Sequence, residues 1–270
     1  MLWTKTMFGV KKPILSMLHL DPLPGDPMYR HGDGMKRVVE LARKDLLALQ
    51  EGGVAGILFS NEFSLPYQRH MDFVIPAAMA RVIGELMPDL RVPYGVDCIS
   101  DGLASIGLAA AVDAKFIRDT FCGVYVGDGG LYNNDFSMLM RRKAALHLDD
   151  LKMLYFINPE SDRNLDTRPL QEISKSVIFK ASPAGLCISA SAAGQEVDDR
   201  LMRSVKTAVP EVAVLCNMGC RVDNIAAKLS CLDAAVVGTT FKENGGFHRH
   251  VGLERVRSFM DAVKAYQKAL

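Results

Sequence analysis

The sequence predicts an α/β fold in which eight parallel strands alternate with helices and close into a (β/α)8 barrel. Eight short apolar runs are typical of parallel strands that are buried on both faces. Stretches with helical periodicity separate these runs, as the barrel requires. The runs are Ile14–His19, Ala55–Ser60, Val92–Asp97, Ala114–Arg118, Lys152–Ile157, Gly185–Ser189, Ala213–Cys216 and Ala234–Val237.

The helical stretches are clearest near the two ends of the sequence. Apolar residues that recur every three to four positions predict one buried face on each helix. The first stripe comprises Met35, Val38, Val39, Ala42, Leu46 and Leu49, and the last comprises Leu253, Val256, Met260 and Val263. Ser137 and Asp198 predict helix starts, and Pro169 is predicted to lie in a first helical turn.

The length favours a single barrel domain over residues 1–270. Eight units in this length give roughly 34 residues each, a spacing typical of the closed barrel. The alternative is an open doubly wound sheet, but no G-x-G-x-x-G motif follows the first apolar run. We find no linker-like segment that would divide the chain.

Composition excludes several classes of protein. The 32 basic and 31 acidic residues give a net charge of +1, which argues against nucleic-acid binding through a basic field. The 49% hydrophobic content excludes a disordered chain, and no apolar run is long enough to span a membrane. Lys11, Lys12 and Pro13 interrupt any export signal. Because the six cysteines are scattered, we expect a reduced, cytoplasmic protein; homo-oligomerisation is left open.

Polar side chains follow the predicted strands, where such barrels place their active sites. The candidate catalytic residues lie after four different strands and are His19, Glu62, Asp97 and Arg118. Further candidates for the rim of the barrel are Asp119, Asp128, Asn158 and Lys242. Each carboxylate has an alternative role as a structural ion-pair partner of Arg118.

The junctions after the last two strands predict a phosphate site. Small residues let backbone N–H groups approach an anion, and these barrels frequently hold a phosphate there. The alternative is that the glycines only form tight turns. The candidate residues are Asn217, Gly219, Gly238, Thr239 and Thr240, together with Gly194 after the sixth strand.

These residues favour an enzyme that acts on a small phosphorylated metabolite, a sugar phosphate, by acid–base chemistry. Asp97 or Glu62 would move a proton next to a carbonyl group, and Arg118 would stabilise the oxyanion that develops. Isomerase, epimerase and lyase reactions all fit this description. No cofactor is predicted. The alternative is a hydrolase in which Glu62, Asp97 and Asp119, with His19 as a further ligand, hold Mg²⁺.

Three blocks of the sequence resemble the BtpA/SgcQ family. Met17–Gly25 resembles its M-x-H-L-x-P-L-P-G opening. Ala114–Arg118, with Gly123–Asp128 and Gly130, resembles its A-K-F-I-R…G-x-x-V-x-D-x-G block. Val236–Lys242 resembles its I-V-G-T-S-x-K close. The resemblance implies a TIM barrel similar to the ribulose-phosphate-binding barrels. Members of that family have been linked to photosystem I biogenesis and to a sugar-utilisation gene cluster.

The sequence departs from the family pattern after three strands. Asp97–Gly102 lacks the arginine of N-V-L-R-N-D, and Leu154–Pro159 lacks the Asp, His and Lys of A-D-V-H-V-K. Ser189–Gly194 keeps little of T-G-x-x-T-G beyond its small residues. These losses leave open a different substrate, a different chemistry, or a non-catalytic binding or assembly factor.

Overall fold

The computed structural model describes residues 2–160, 162–192 and 195–269 and confirms the closed parallel barrel. In ring order the barrel strands are β1, β11, β10, β9, β7, β4, β3 and β2. The strand bounds are β1 Ile14–His19, β2 Gly56–Ser60, β3 Tyr94–Asp97, β4 Phe116–Asp119, β5 Val124–Gly127, β6 Gly130–Asn133, β7 Lys152–Asn158, β8 Arg163–Asn164, β9 Gly185–Ile188, β10 Ala213–Cys216 and β11 Ala234–Val237.

The helices form the outer layer, and two of them bury the apolar stripes that the sequence predicts. Their bounds are α1 Trp3–Phe8, α2 Gly34–Gly52, α3 Val74–Leu86, α4 Gly102–Ala111, α5 Phe136–Ala145, α6 Leu170–Ala181, α7 Asp199–Ala208, α8 Ile225–Cys231 and α9 Leu253–Lys268. Across these helices of the described ranges, none combines the length and the apolar character that a membrane span needs.

Asp198 caps α7 as predicted, because its side chain accepts a hydrogen bond from the Arg200 N–H. Pro169 directly precedes α6. The prediction for Ser137 is wrong. α5 starts one residue earlier, at Phe136, and Asp135 caps it by accepting a hydrogen bond from the Met138 N–H. An aspartate two residues upstream supplies the same cap chemistry as the serine.

Successive side chains on each barrel strand point alternately inward and outward. Val96 and Ile117 point outward and pack under the helices. Leu15, Leu58 and Phe116 point inward and fill the amino-terminal half of the barrel. This alternation fixes which residues can face the opposite, carboxyl-terminal end.

The amino-terminal end of the barrel is closed by α1. The Phe8 ring lies 5.9 Å from the Phe116 ring, measured between centroids, in an edge-to-face arrangement. Trp3 donates a 2.7 Å hydrogen bond from Nε1 to the Ala184 carbonyl, just before β9. Aromatic rings of α1 therefore close the barrel interior at this end.

A small antiparallel sheet, which the sequence analysis did not predict, lies outside the barrel. β5 pairs with β6 on one side and with β8 on the other. The first two strands belong to the loop between β4 and α5, and the third belongs to the loop between β7 and α6. Asp128 and Gly129 join β5 to β6, and an Asp-Gly pair between apolar strands is a strong hairpin signal.

Candidate functional site

The carboxyl-terminal end of the barrel carries a layer of polar residues that point inward. The inward orientation of His19 and Asp97 follows from the alternation, because each lies two residues beyond an inward position of its strand. Arg118 lies two residues beyond Phe116, which is itself inside the barrel. The layer comprises His19, Ser60, Asp97, Arg118, Asn158, Ser189, Asn217 and Gly238.

Arg118 is the centre of this layer. Its Nη2 and Nε donate to Oδ2 of Asp97 over 2.8 and 3.1 Å. Its Nη1 donates to Oδ1 of Asn217 over 3.0 Å, and Asn217 in turn donates to the Ser189 hydroxyl. The guanidinium group also lies 4.9 Å from the centre of the Phe156 ring. Arg118 thus reaches from β4 across the barrel, and its guanidinium group is fixed by Asp97 on one side and by Asn217 on the other.

Burial makes the two aspartates of this end unusually easy to protonate. Burial raises the pKa of Asp97 to about 6, and the charge of Arg118 acts against this rise. Burial and the charge of Asp97 raise the pKa of Asp119 well above its ordinary value. Oδ1 of Asp97 and Oδ2 of Asp119 are buried without a hydrogen-bond partner among the described residues. Both oxygens are therefore candidates for contact with a bound molecule.

Glu62 lies beside His19 at the edge of the layer. Nε2 of His19 is 4.0 Å from Oε2 of Glu62, and the Ser60 hydroxyl donates to the same oxygen over 3.1 Å. The Tyr67 hydroxyl donates to the Glu62 carbonyl over 3.0 Å. Burial raises the pKa of Glu62 to about 7, with Arg118 opposing the rise and Asp97 adding to it. A carboxyl group with this pKa exchanges protons near neutral pH.

His19 is a neutral imidazole. Burial, together with the charges of Lys242 and Arg118, lowers its pKa well below the ordinary value. The rings of Phe63 and Phe247 flank it at centroid distances of 5.7 and 5.8 Å. Its Nδ1 is buried and has no partner in the described part of the chain. His19 can therefore donate or accept one hydrogen bond without carrying a charge.

Lys242 is buried, not solvated as a loop lysine would be, with a relative exposure of 1%. Its Nζ donates to the Arg249 carbonyl over 2.9 Å and lies 4.7 Å from the centre of the Phe63 ring. Burial lowers its pKa. These contacts explain how the lysine holds the segment before α9 against the residues around His19.

The two glycine-bearing turns lie next to each other, as expected for adjacent strands. The Thr240 hydroxyl donates to the Cys220 carbonyl over 2.6 Å and so joins them. Gly219 has φ +71°, and a side chain there would meet the Gln195 carbonyl oxygen at 2.5 Å. A Cβ on Gly238 would lie 3.1 Å from Nε2 of His19. Close packing therefore requires a glycine at Gly219, whether or not an anion binds, whereas a side chain at Gly238 would press on His19.

The remaining candidates are spread more widely. Asn158 lies at the end of β7, where its side chain bonds both the carbonyl and the N–H of Ser189. Asp128 is exposed at the tip of the β5–β6 hairpin, away from the inward layer. Gly194 lies outside the described residues.

Sequence reasoning missed two ionisable residues of this end of the barrel. Nε and Nη1 of Arg69 and Oε2 of Glu160 are buried and have no partner in the described ranges. Both residues lie in loops after strands, where no local pattern singles out one charged residue from another. A cavity of about 570 Å³ lies at the ends of β7 and β9 and is lined by Asn158, Ser189, Asp162 and Glu196, among others, but not by Arg69 or Glu160.

The described residues contain no group of three His, Cys, Asp or Glu side chains placed to hold a metal ion. Glu62, Asp97 and Asp119, which the sequence offered as Mg²⁺ ligands, do not form such a group. Asp97 directs Oδ2 to Arg118, and Asp119 uses Oδ1 to accept from the Thr120 N–H.

The fold is shared with solved enzymes at low sequence identity. It matches (S)-3-O-geranylgeranylglyceryl phosphate synthase from Thermoplasma acidophilum, in complex with sn-glycerol-1-phosphate, with a TM-score of 0.61 and 14% identity over 97% of each chain. It matches phosphoribosyl anthranilate isomerase from Thermus thermophilus with a TM-score of 0.58 and 11% identity, over 94% of this chain and 98% of the other. N-acetylmannosamine-6-phosphate 2-epimerase from Clostridium perfringens matches with a TM-score of 0.55 and 11% identity, over 100% and 97% of the two chains.

Closer relatives appear at the level of sequence. The chain is 41% identical to the sgc region protein SgcQ of Escherichia coli K12, over 97% of this chain and 98% of that protein. It is 26% identical to the photosystem I biogenesis protein BtpA of Synechocystis, over 95% and 89% of the two chains. The sequence profile of the BtpA family matches residues 10–265. This chain belongs to the BtpA family.

Proposed function

We propose that this protein is an enzyme that acts on a small phosphorylated metabolite, a sugar phosphate, by acid–base chemistry at the carboxyl-terminal end of the barrel. One observation carries the proposal. A carboxyl group, Glu62, lies beside a neutral histidine, and Arg118 is fixed in the same polar layer between Asp97 and Asn217. An acid–base group and a fixed cation close together are what proton transfer next to a carbonyl needs.

Glu62 is the better candidate for the group that moves the proton. Asp97 already accepts two hydrogen bonds from Arg118 through one oxygen, and this pairing makes it a poorer base. Among the described residues no arginine donates a hydrogen bond to Glu62, and burial raises the pKa of Glu62 to about 7. A catalytic group works best when its pKa is close to the working pH. Asp97 then serves to position Arg118.

Arg118 and His19 would share the oxygen of the reacting carbonyl. Arg118 stays protonated, so it can stabilise the negative charge that develops on that oxygen. His19 is neutral and has an unpartnered nitrogen at Nδ1, so it can donate a hydrogen bond when that nitrogen carries the proton. The set supports isomerase, epimerase or lyase chemistry equally.

The phosphate would bind at the turns after β10 and β11. Thr239 and Thr240 begin the short helical turn Thr239–Phe241, whose first N–H groups have no partner within the turn. These barrels often bind phosphate at a short helix in this position. The three solved structures of the same fold are named for phosphorylated compounds, which supports this assignment.

A non-catalytic assembly role is the alternative, since one relative is a photosystem I biogenesis protein. That role gives no reason for burying several ionisable groups without partners. An unpartnered buried polar group destabilises a fold by about 1–3 kcal/mol. Such groups cluster at functional sites more often than elsewhere. The polar layer therefore favours catalysis.

The test is a panel of sugar phosphates, followed by thermal shift for binding and by NMR for product formation. Binding of phosphorylated but not of unphosphorylated sugars supports the phosphate assignment, and an isomerised, epimerised or cleaved product supports the reaction. Gly238→Ala should weaken binding about tenfold, because its Cβ would press on Nε2 of His19 and so push the turn out of position for the phosphate. Gly84→Ala is the matched control, since a Cβ there meets no atom within 4 Å. Equal binding by both variants would place the anion elsewhere.

A further inference from the structure

The unpartnered atoms at the carboxyl-terminal end of the barrel include both donors and acceptors. Arg69 offers two buried nitrogens as donors. Glu160, Asp97 and Asp119 each offer one buried oxygen, and His19 offers one nitrogen. None of these atoms has a hydrogen-bond partner among the described residues. Buried polar groups in proteins are nearly always paired, so such a cluster indicates contact with a ligand.

Arg69 is held in place over the β3–β4 side of the barrel. Its guanidinium carbon lies 4.0 Å from the centre of the Tyr132 ring, and Tyr132 donates to the Thr120 carbonyl just after β4. Nη2 of Arg69 lies 3.9 Å from Oδ2 of Asp162. The small antiparallel sheet and the loop after β7 therefore fix the guanidinium group from two sides.

Glu160 lies on the same half of the opening, in the loop after β7. β7 is the neighbour of β4 in the ring. The charge of Glu160 contributes to the raised pKa values of Glu62 and Asp97, which places it within electrostatic reach of both. Oε2 of Glu160 is buried, so the carboxyl group does not face the solvent alone.

This half of the opening lies across the barrel from the phosphate turns. In the ring order, β4 stands opposite β11 and β3 stands opposite β10. A phosphorylated ligand held at the turns after β10 and β11 would extend over Arg118 towards Arg69. The end of the ligand that lacks the phosphate would then meet Arg69 and Glu160.

The charges of Arg69, Glu160 and Asp162 decide which chemical groups the end of the ligand without the phosphate can carry. A second anion would face Glu160 and Asp162, and an amine would face Arg69; like charges at such distances repel. A hydroxyl group both donates and accepts hydrogen bonds. Several hydroxyl groups could satisfy the donors of Arg69 and the carboxylate oxygens together.

We infer that Arg69 and Glu160 are the specificity-determining pair of this site, which bind hydroxyl groups of the substrate on the side of the barrel opposite the phosphate turns. The inference rests on the proposed function for the position of the phosphate. It adds two residues to the site and restricts the substrate to a phosphorylated polyhydroxy compound.

Two probes separate the hydroxyl contacts from the phosphate contact. Ribitol 5-phosphate and pentyl phosphate have the same carbon chain, differ in their hydroxyl groups and lack the carbonyl group on which the reaction would act. Calorimetry should show that ribitol 5-phosphate binds the parent protein at least about tenfold more tightly. Arg69→Met and Glu160→Ala should each reduce this preference to about threefold or less, while leaving the affinity for pentyl phosphate nearly unchanged.

Arg168→Met is the matched control, because Arg168 lies in the loop after β7 but is half-exposed and paired with Asp166. It should keep the full preference. Thermal unfolding of each variant shows that it remains folded, and Glu160→Gln, which keeps the shape, is a second variant should Glu160→Ala unfold. An equal loss of affinity for both probes in Arg69→Met would overturn the inference and make Arg69 a structural residue.

The two proposals fail in different ways. If pentyl phosphate binds and ribitol 5-phosphate binds no better, the inference is wrong and the phosphate site stands. If neither pentyl phosphate nor inorganic phosphate binds, but free ribitol binds in an Arg69-dependent manner, the phosphate assignment is wrong, and the role of Arg69 in binding hydroxyl groups stands without it. If no probe binds, both are wrong.

Discussion

The two ends of the barrel interior are built from the same strands and differ completely in chemistry. On β4, Phe116 faces the amino-terminal half and packs against Phe8, whereas Arg118, two residues later, lies in the polar layer. On β1 the same step leads from Met17 to His19. One end therefore supplies packing, and the other end holds groups that packing alone does not satisfy.

This difference shows how the barrel separates stability from function. Apolar side chains buried in the amino-terminal half stabilise the fold through the hydrophobic effect. The buried charges at the other end contribute little stability, because desolvation offsets their mutual attraction. We therefore expect substitutions at the amino-terminal end to change the free energy of unfolding, and most substitutions at the carboxyl-terminal end to change activity. Arg118 should change both.

Arg118→Met should have the largest effect. It leaves Asp97 buried without its partner, and loss of one member of a buried pair destabilises a fold by about 3–5 kcal/mol. Activity should fall by about 10²–10³-fold through loss of oxyanion stabilisation. The double variant Arg118→Met/Asp97→Asn should regain most of the stability in urea unfolding but none of the activity. Recovery of activity in the double variant would contradict the assigned role.

Glu62→Gln should reduce activity by about 10²–10⁴-fold, because it removes the proton-transfer group. Below about pH 5, where Glu62 keeps its proton, the free energy of unfolding should change little, since the amide keeps the shape and can still accept from Ser60. Affinity for inorganic phosphate should remain unchanged. Steady-state kinetics with the substrate that the panel identifies measure the effect. Glu40→Gln, on the exposed face of α2, is the control. Full activity in Glu62→Gln would exclude Glu62 as the base.

Phe8→Ala tests the opposite end. The substitution removes the ring that closes the barrel against Phe116, and it should lower the free energy of unfolding by about 3 kcal/mol. At a temperature where the variant remains folded, its kcat should stay within about twofold of the parent. Substitutions far from a site usually act independently of it. A loss of kcat as large as that of Glu62→Gln would show that the two ends are coupled.

The pH dependence of stability should follow the raised pKa of Glu62. Burial raises the pKa of Glu62 from 4.5 to about 7, so the folded chain keeps a proton there that the unfolded chain releases first. The free energy of unfolding therefore falls as pH rises through this window. The loss of stability that Glu62 causes is complete above about pH 7.

Glu62→Gln lacks this contribution, so it should gain stability relative to the parent between pH 5 and pH 7. Comparing the two proteins isolates Glu62, because Asp97 and His19 titrate in both. Urea unfolding across this pH range measures the difference. A constant difference between the two proteins would mean that Glu62 titrates normally. Activity should rise with pH through the same window, since Glu62 accepts a proton only when it is ionised.

The barrel itself was determined by the sequence. Ile14–His19, Ala213–Cys216 and Ala234–Val237 were predicted with the bounds that the strands have, and the other five were predicted to within two residues at each end. Burial on both faces leaves a local signal, because most positions of such a strand are apolar. The inward position of His19 and Arg118 also follows from alternation along a strand.

Only the tertiary structure decided what surrounds those residues. The contact of Arg118 with Asn217 joins positions 99 residues apart, and no local pattern encodes it. The burial of Lys242 depends on Phe63 and the Arg249 carbonyl, and the position of Arg69 depends on the β5–β6 hairpin. Local periodicity determines which way a strand residue points. The pKa values and free hydrogen-bonding groups of the site depend on loops that meet over the barrel, and those are set by contacts between distant segments.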